Sequence, residues 1–173
     1  MGSLTRVRDN PDEALSFAEQ SIALTRTGAS GATLGHVLPI RAQLRAQKGD
    51  APGAARDLRE AVTYSHDKGD RVMLMVAFDR GISVLDALGL REAAAILAGV
   101  VLRGPLAVLS ILPPAERDDR AILLGRVHAR VGRSVYEDAM ERGAAMNDDE
   151  AVAYTLDQLD AAGAQELTPD RGP

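Results

Sequence analysis

The 173-residue sequence contains no cysteine and no tryptophan. The first absence excludes disulfides, iron–sulfur clusters and thiolate zinc sites. Aromatic residues of every kind make up only 3%, so a core has to be assembled from Ala, Leu, Val and Ile. Such a core suits closely packed helices better than a β-sandwich or barrel. No long apolar run is present. The most apolar stretch, Ile96 to Leu112, carries Arg103 and is broken by Gly104-Pro105. It falls short of the ~18 uninterrupted apolar residues that a membrane span needs. Met1-Gly2-Ser3-Leu4 is followed within a few residues by charges, which is not the pattern of a secretory leader. The formal charge of -5 is spread over interspersed acids and bases, leaving no clustered basic face for nucleic acid. The phosphate-loop pattern Gly-x-x-x-x-Gly-Lys-Ser/Thr is also absent. The expectation is a cytoplasmic, soluble chain with neither membrane nor direct nucleic-acid contact, long enough for one domain with its own core.

What is present is helical periodicity, with strand alternation nearly absent. Asn10-Pro11-Asp12-Glu13 opens a first helix with a capping residue, a proline at the first helical position and acids in the positive first turn. Ala14, Phe17, Ala18, Ser21, Ile22 and Thr25 follow at helical spacing, and Gly28 to Gly31 ends the segment. A second helix is expected from about Ala32 to Lys48, with a kink or late start at Pro39. A third begins at Ala51-Pro52 with Ala54, Ala55, Leu58, Ala61, Val62 and Ser65 as its inner face. A fourth runs from about Arg71 to Leu88 and a fifth from Leu90 to about Arg103. The stops Gly49 and Gly89 lie 40 residues apart, as do Leu58 and Ala18. Helices alternating at that period, joined by Gly-Asp or Gly-Leu turns, are the mark of stacked helical hairpins.

The pattern then changes. An apolar connector spans 104–114, and a C-terminal helical cap spans 115–163. Within the cap, one helix runs from about Ala115 to Val131 and is closed by Gly132. A short one, opened by Ser134-Val135-Tyr136-Glu137 at capping-box spacing, ends at Arg142 and is closed by Gly143. The last spans roughly Asp148 to Ala161, and residues 164–173 form a frayed tail. Chain 1–173 therefore reads as a single all-α domain, with repeats over about 10–103.

The first repeat helices resemble tetratricopeptide-type repeats in their lengths, small crossing residues and Gly-Asp turns. The Trp, Tyr and closing Pro of the full repeat pattern are not met. The block "HARVGRSVYEDAMERGAAMNDDEAVAYTLDQL", His128 to Leu159, is similar to the closing block of helical domains in large actinobacterial regulators. These chains carry an NB-ARC/AAA-type ATPase, sometimes with an adenylate-cyclase domain or a LuxR-type helix-turn-helix. Gly132, Tyr136, Ala139, Gly143, Met146, Glu150, Ala151 and Val152 carry the similarity. The resemblance covers about residues 10 to 163 and implies a TPR-like superhelix from a transcriptional or signalling regulator. The matching residues are caps and packing positions, so it implies a setting and no catalytic residue.

Candidate chemistry is sparse. His36, His66 and His128 lie on three different helices, without the convergence that metal or acid–base work requires. Ser83 and Ser110 lack a nucleophile-elbow context. Asp118-Asp119, flanked by Arg117 and Arg120, reads as a solvated first turn. Asn147-Asp148-Asp149-Glu150 places carboxylates on consecutive residues of a helix start, which splays them apart. It reads as a capping box with Glu150 reaching back to Asn147, not as a metal cage. Tyr136 is expected to anchor the short helix against the last one. Arg41 and Arg45, an i,i+4 pair, and Arg80 fall on the helices that line the concave side in tetratricopeptide arrays. They are the candidate contacts for an acidic tail or peptide carboxylate, against the plainer reading of a solvated face.

The expected function is a non-enzymatic scaffold for protein–protein contact, with no cofactor and a protein or peptide partner. The alternative is an inducer-sensing domain, with the apolar Leu106–Leu112 connector walling a pocket. A closed apolar pocket larger than about 300 Å³ would favour the sensor. An open groove, or an exposed apolar face on the Pro11–Thr27 helix, would favour partner binding. That first helix lacks a preceding hairpin partner. It belongs either to a longer chain or to an interface with another molecule, including a homodimer.

Overall fold

A computed structural model describes residues 10–28, 32–103 and 114–166. Residues 104–113 of the expected connector 104–114, Ser110 among them, and residues 167–173 of the expected tail 164–173 lie outside the described residues. Among the described residues there are eight α-helices and no strand: α1 (Pro11–Arg26), α2 (Ala32–Gln47), α3 (Ala51–Asp67), α4 (Arg71–Ala87), α5 (Arg91–Arg103), α6 (Pro114–Val131), α7 (Arg133–Ala145) and α8 (Asp148–Glu166). The fold is all-α, as the periodicity predicts.

Three turns share one construction. Gly49, Gly69 and Gly89 have φ of 81°, 64° and 79°, a left-handed conformation that closes a helix and that glycine adopts at least cost. In each, the residue after the glycine donates its N–H five residues back. Asp50 reaches the Arg45 carbonyl, Asp70 that of Ser65 and Leu90 that of Leu85, all at 2.9 Å. The two aspartates then cap the next helix. Asp50 accepts from Gly53 N–H at 3.0 Å and Asp70 from Met73 N–H at 3.1 Å. A Gly-Asp pair thus ends one helix and starts another.

These short turns bring successive helices together. α2 packs on α1, α3 and α4, while α4 also packs on α3 and α5. Pro39 is accommodated inside α2, which begins at Ala32 and continues beyond the proline. α5 is the central element. Its nine consecutive residues Ala93 to Val101 are all buried, because α4, α6, α7 and α8 all pack against it. That explains why the most apolar stretch begins here. A helix apolar on every side belongs in the middle.

The cap differs from expectation at its short helix. Ser134 is not the capping residue. α7 starts directly after Gly132 (φ 85°), with no side-chain cap bond. Nor does Gly143 close α7, which runs on to Ala145. A β-carbon at Gly143 would collide with the Ile96 carbonyl, and one at Gly99 with that of Met140. The two glycines are there for close approach of the α5 and α7 backbones. Tyr136, expected to anchor α7 against the last helix, meets the His128 ring of α6 edge-on, with centroids 4.9 Å apart. The α8 capping box is present, with Glu150 N–H donating to Asn147 Oδ1 at 2.9 Å and Asn147 N–H donating to Glu150 Oε2 at 2.8 Å.

Candidate functional site

α2, α4 and α6 enclose an open groove of about 570 Å³. Gln43 and Gln47 come from α2, Arg80 and Ser83 from α4, and Arg120, Ile122, Arg126 and Arg130 from α6. Each wall follows from helical spacing. Gln43 and Gln47 are one turn apart, as are Arg126 and Arg130, so each pair shares a side of its helix.

The walls are joined by charge. Arg80 Nη2 lies 2.7 Å from Glu116 Oε2, while its Nη1 donates to Gln43 Oε1 at 3.0 Å. Arg80 therefore links all three helices. Arg120 Nη2 sits 2.5 Å from Asp79 Oδ1 without hydrogen-bond alignment, so these two atoms and Arg120 Nε are buried with no aligned partner. Asp86, only 4% exposed, receives Arg126 Nη2 at 2.9 Å and Arg130 Nη1 at 3.0 Å. Two half-exposed guanidinium groups thus share one buried carboxylate.

The three arginines named by spacing are divided by the structure. Arg80 is in the groove. Arg41 and Arg45 turn towards α3 and converge on Asp57. Arg41 Nε and Nη2 donate to its two oxygens at 2.7 and 2.6 Å, and Arg45 Nη1 lies 3.1 Å from Oδ2. Their i,i+4 spacing does clamp a carboxylate, but an internal one. Arg41 is a buried structural group and is withdrawn as a partner contact. Arg45 is also ion-paired to Glu19 and Asp50. Asp57 and Asp86, missed by the sequence reading, play the same part: a buried aspartate gripped by an i,i+4 arginine pair from a neighbouring helix. The i,i+4 spacing of Arg126 and Arg130 was the available signal.

Elsewhere, Arg71 Nε donates to Asp148 Oδ2 at 2.6 Å, and Asp149 Oδ1 lies 3.6 Å from His66 Nε2. The acidic cluster at α8 is thus tied to α3 and α4. Among the described residues, no group of three or more His, Cys, Asp or Glu side chains is placed to hold a metal ion. Burial raises the Tyr136 hydroxyl pKa above the ordinary 10.0. Tyr154 is raised by burial, with Arg142 opposing and Glu92 adding a smaller rise. No described helix is long and apolar enough to cross a membrane. Comparison with protein-family models, curated proteins and solved structures found no match.

Proposed function

We propose that this chain is a non-enzymatic helical scaffold for protein–protein contact, using the groove between α2, α4 and α6 to hold a peptide or a partner segment. The supporting observation is the groove's character. It is open, and charged and amide side chains (Arg80, Arg126, Arg130, Gln43 and Gln47) line it alongside Ile122, which is 68% exposed. Amide and guanidinium donors beside an exposed apolar residue suit an extended peptide, whose backbone and side chains supply both kinds of contact. In keeping with the resemblance of its closing block, the chain is read as a TPR-like part of an actinobacterial ATPase-type regulator, acting in the cytoplasm.

The second reading, an inducer sensor, draws on the volume, which falls within the range of small-ligand sites. The ion-paired lining weighs against it, because ligand pockets are predominantly apolar with few polar groups. A displayed random-peptide library separates the two. Peptides that bind the wild type and are lost on an Arg80→Ala/Arg130→Ala variant of unchanged fold support the scaffold. Failure to select any peptide, or peptides indifferent to the variant, removes it. A small apolar compound that raises the melting temperature of the wild type and not of an Ile122→Asp variant would favour the sensor.

A further inference from the structure

The two halves of α6 are held in different ways. From Leu123 to Val131 it packs on apolar surface: Val127 is fully buried, and Leu123 and Leu124 are half-buried against the core. His128 meets Tyr136 of α7 there, and Asp86 holds Arg126 and Arg130. From Glu116 to Ile122 no residue is fully buried, and the two apolar side chains, Ala121 and Ile122, are exposed. Two ion pairs across the groove attach this half to α4: Arg80 with Glu116 at 2.7 Å and Arg120 with Asp79 at 2.5 Å. The Arg120 and Asp79 side chains are only 10% and 11% exposed. Asp79 Oδ1, Arg120 Nε and Arg120 Nη2 have no aligned hydrogen-bond partner. Such a contact has given up the hydration of both charges without good geometry in return. Separating the two into water therefore costs far less than pulling apart apolar packing of the same size.

We propose that α6 is a hinged wall of the groove: the half from Glu116 to Ile122 swings away from α4 about the packed segment around Val127, and the pairs Arg80–Glu116 and Asp79–Arg120 are the latch that closes it. α6 and α7 are joined by Gly132 alone, at φ 85°, and glycine leaves the backbone free to adjust there. Glu116 lies about 16 Å of helix from Val127, so a tilt of about 20° carries it roughly 5 Å. Both latch pairs then break, and Asp79 and Arg120 regain water. The swing opens a way for a peptide segment to enter between α4 and α6; that use of the motion rests on the peptide-binding reading of the groove, and the motion itself does not.

Spin-label distances measured by pulsed electron spin resonance on the whole chain test this, since no native cysteine competes for the labels. One label goes on Val72→Cys, exposed on α4, and the other on Asp118→Cys or Ala129→Cys, both exposed on α6. Introducing Glu116→Gln/Arg120→Gln should lengthen the Val72–Asp118 distance by about 5 Å and leave the Val72–Ala129 distance where it was, with helicity unchanged. Should the double variant fail to fold, Glu116→Gln alone keeps the side chain's shape, and it should add a longer component to the Val72–Asp118 distribution. A Val72–Asp118 distance that stays put in both variants, or a Val72–Ala129 distance that lengthens equally, overturns the proposal. No peptide is present in these measurements, so a rigid α6 and a failure to select peptides are separate results.

Discussion

Asp57 on α3 accepts from both Arg41 Nε and Arg41 Nη2 of α2, at 2.7 and 2.6 Å. Asp57 is 2% exposed and Arg41 9%. The pair is out of water, and removing one member leaves a buried charge behind. Asp57→Ala should therefore lower stability by about 3–5 kcal/mol, read from the urea midpoint. Replacing both, as Arg41→Met/Asp57→Leu, should restore most of the loss. If the single variant matches the wild type, Arg41 must reach water by another route.

Glycines inside helices should separate into two classes. Gly143→Ala forces a β-carbon into the Ile96 carbonyl and should cost about 1–3 kcal/mol or more through overpacking. At Gly125, also within a helix, a β-carbon meets nothing within 4 Å, so Gly125→Ala should gain up to about 1 kcal/mol from helix propensity. Denaturant melts of the two variants side by side check the assignment. Equal effects at both positions would contradict the α5–α7 crossing.

α6 is held differently from the other helices. Val127 is its one fully buried apolar residue among those described, and Leu123 and Leu124 are only partly buried. Ion pairs to Asp79, Arg80 and Asp86 supply the rest. About 1 M salt cuts the screening length to roughly 3 Å. Amide exchange in α6 should accelerate there while α4 stays protected. Uniform protection at both salt levels would show that apolar packing alone holds α6.

At the α8 start, Asn147→Ala removes the acceptor of Glu150 N–H and should cost about 1 kcal/mol. Calcium or magnesium should leave the wild-type melting unchanged, since Arg71 already occupies the Asp148 carboxylate. A melting shift with either ion that vanished in Asp148→Ala would make the cluster a cation site.

The tyrosines give a pH dependence at the alkaline end. Burial raises Tyr136 and Tyr154 above the ordinary 10.0. Between that value and the folded value, the native state holds more protons than the unfolded one, so stability falls as pH rises. The loss begins near pH 10 and is complete above the folded values. Tyr154→Phe should make the decline shallower in denaturant melts above pH 9. An unchanged slope would mean that Tyr154 titrates normally.

Much of the framework was legible because it is local. The Gly-Asp turns, the Asn10 cap and the Asn147–Glu150 box each involve residues within a few positions, and the conformational need of each is carried by residue type. The same logic misread Ser134, because Ser-x-x-Glu spacing also arises inside a helix whose start is set by a left-handed glycine. It left Phe17 undecided. Its helical spacing with Ala14 and Ala18 permits either the buried face or its edge, and only the position of α2 decides which.

The groove was less legible. Arg80 was named from its place on a helix, but Arg126 and Arg130 were not, because their partner Asp86 lies 40 and 44 positions away.

By itself, the sequence determined the all-α class, the helix starts and stops other than those of α7, and the exclusion of cysteine chemistry, since each depends on residue type or on contacts within a turn. Only the tertiary structure decided that Arg41 is internal, that α5 is enclosed on every side, that Gly143 is a contact rather than a stop, and that α6 hangs on ion pairs across a groove. Those outcomes depend on which distant helix supplies the neighbour, and a side chain's own spacing carries no record of the helix packed against it.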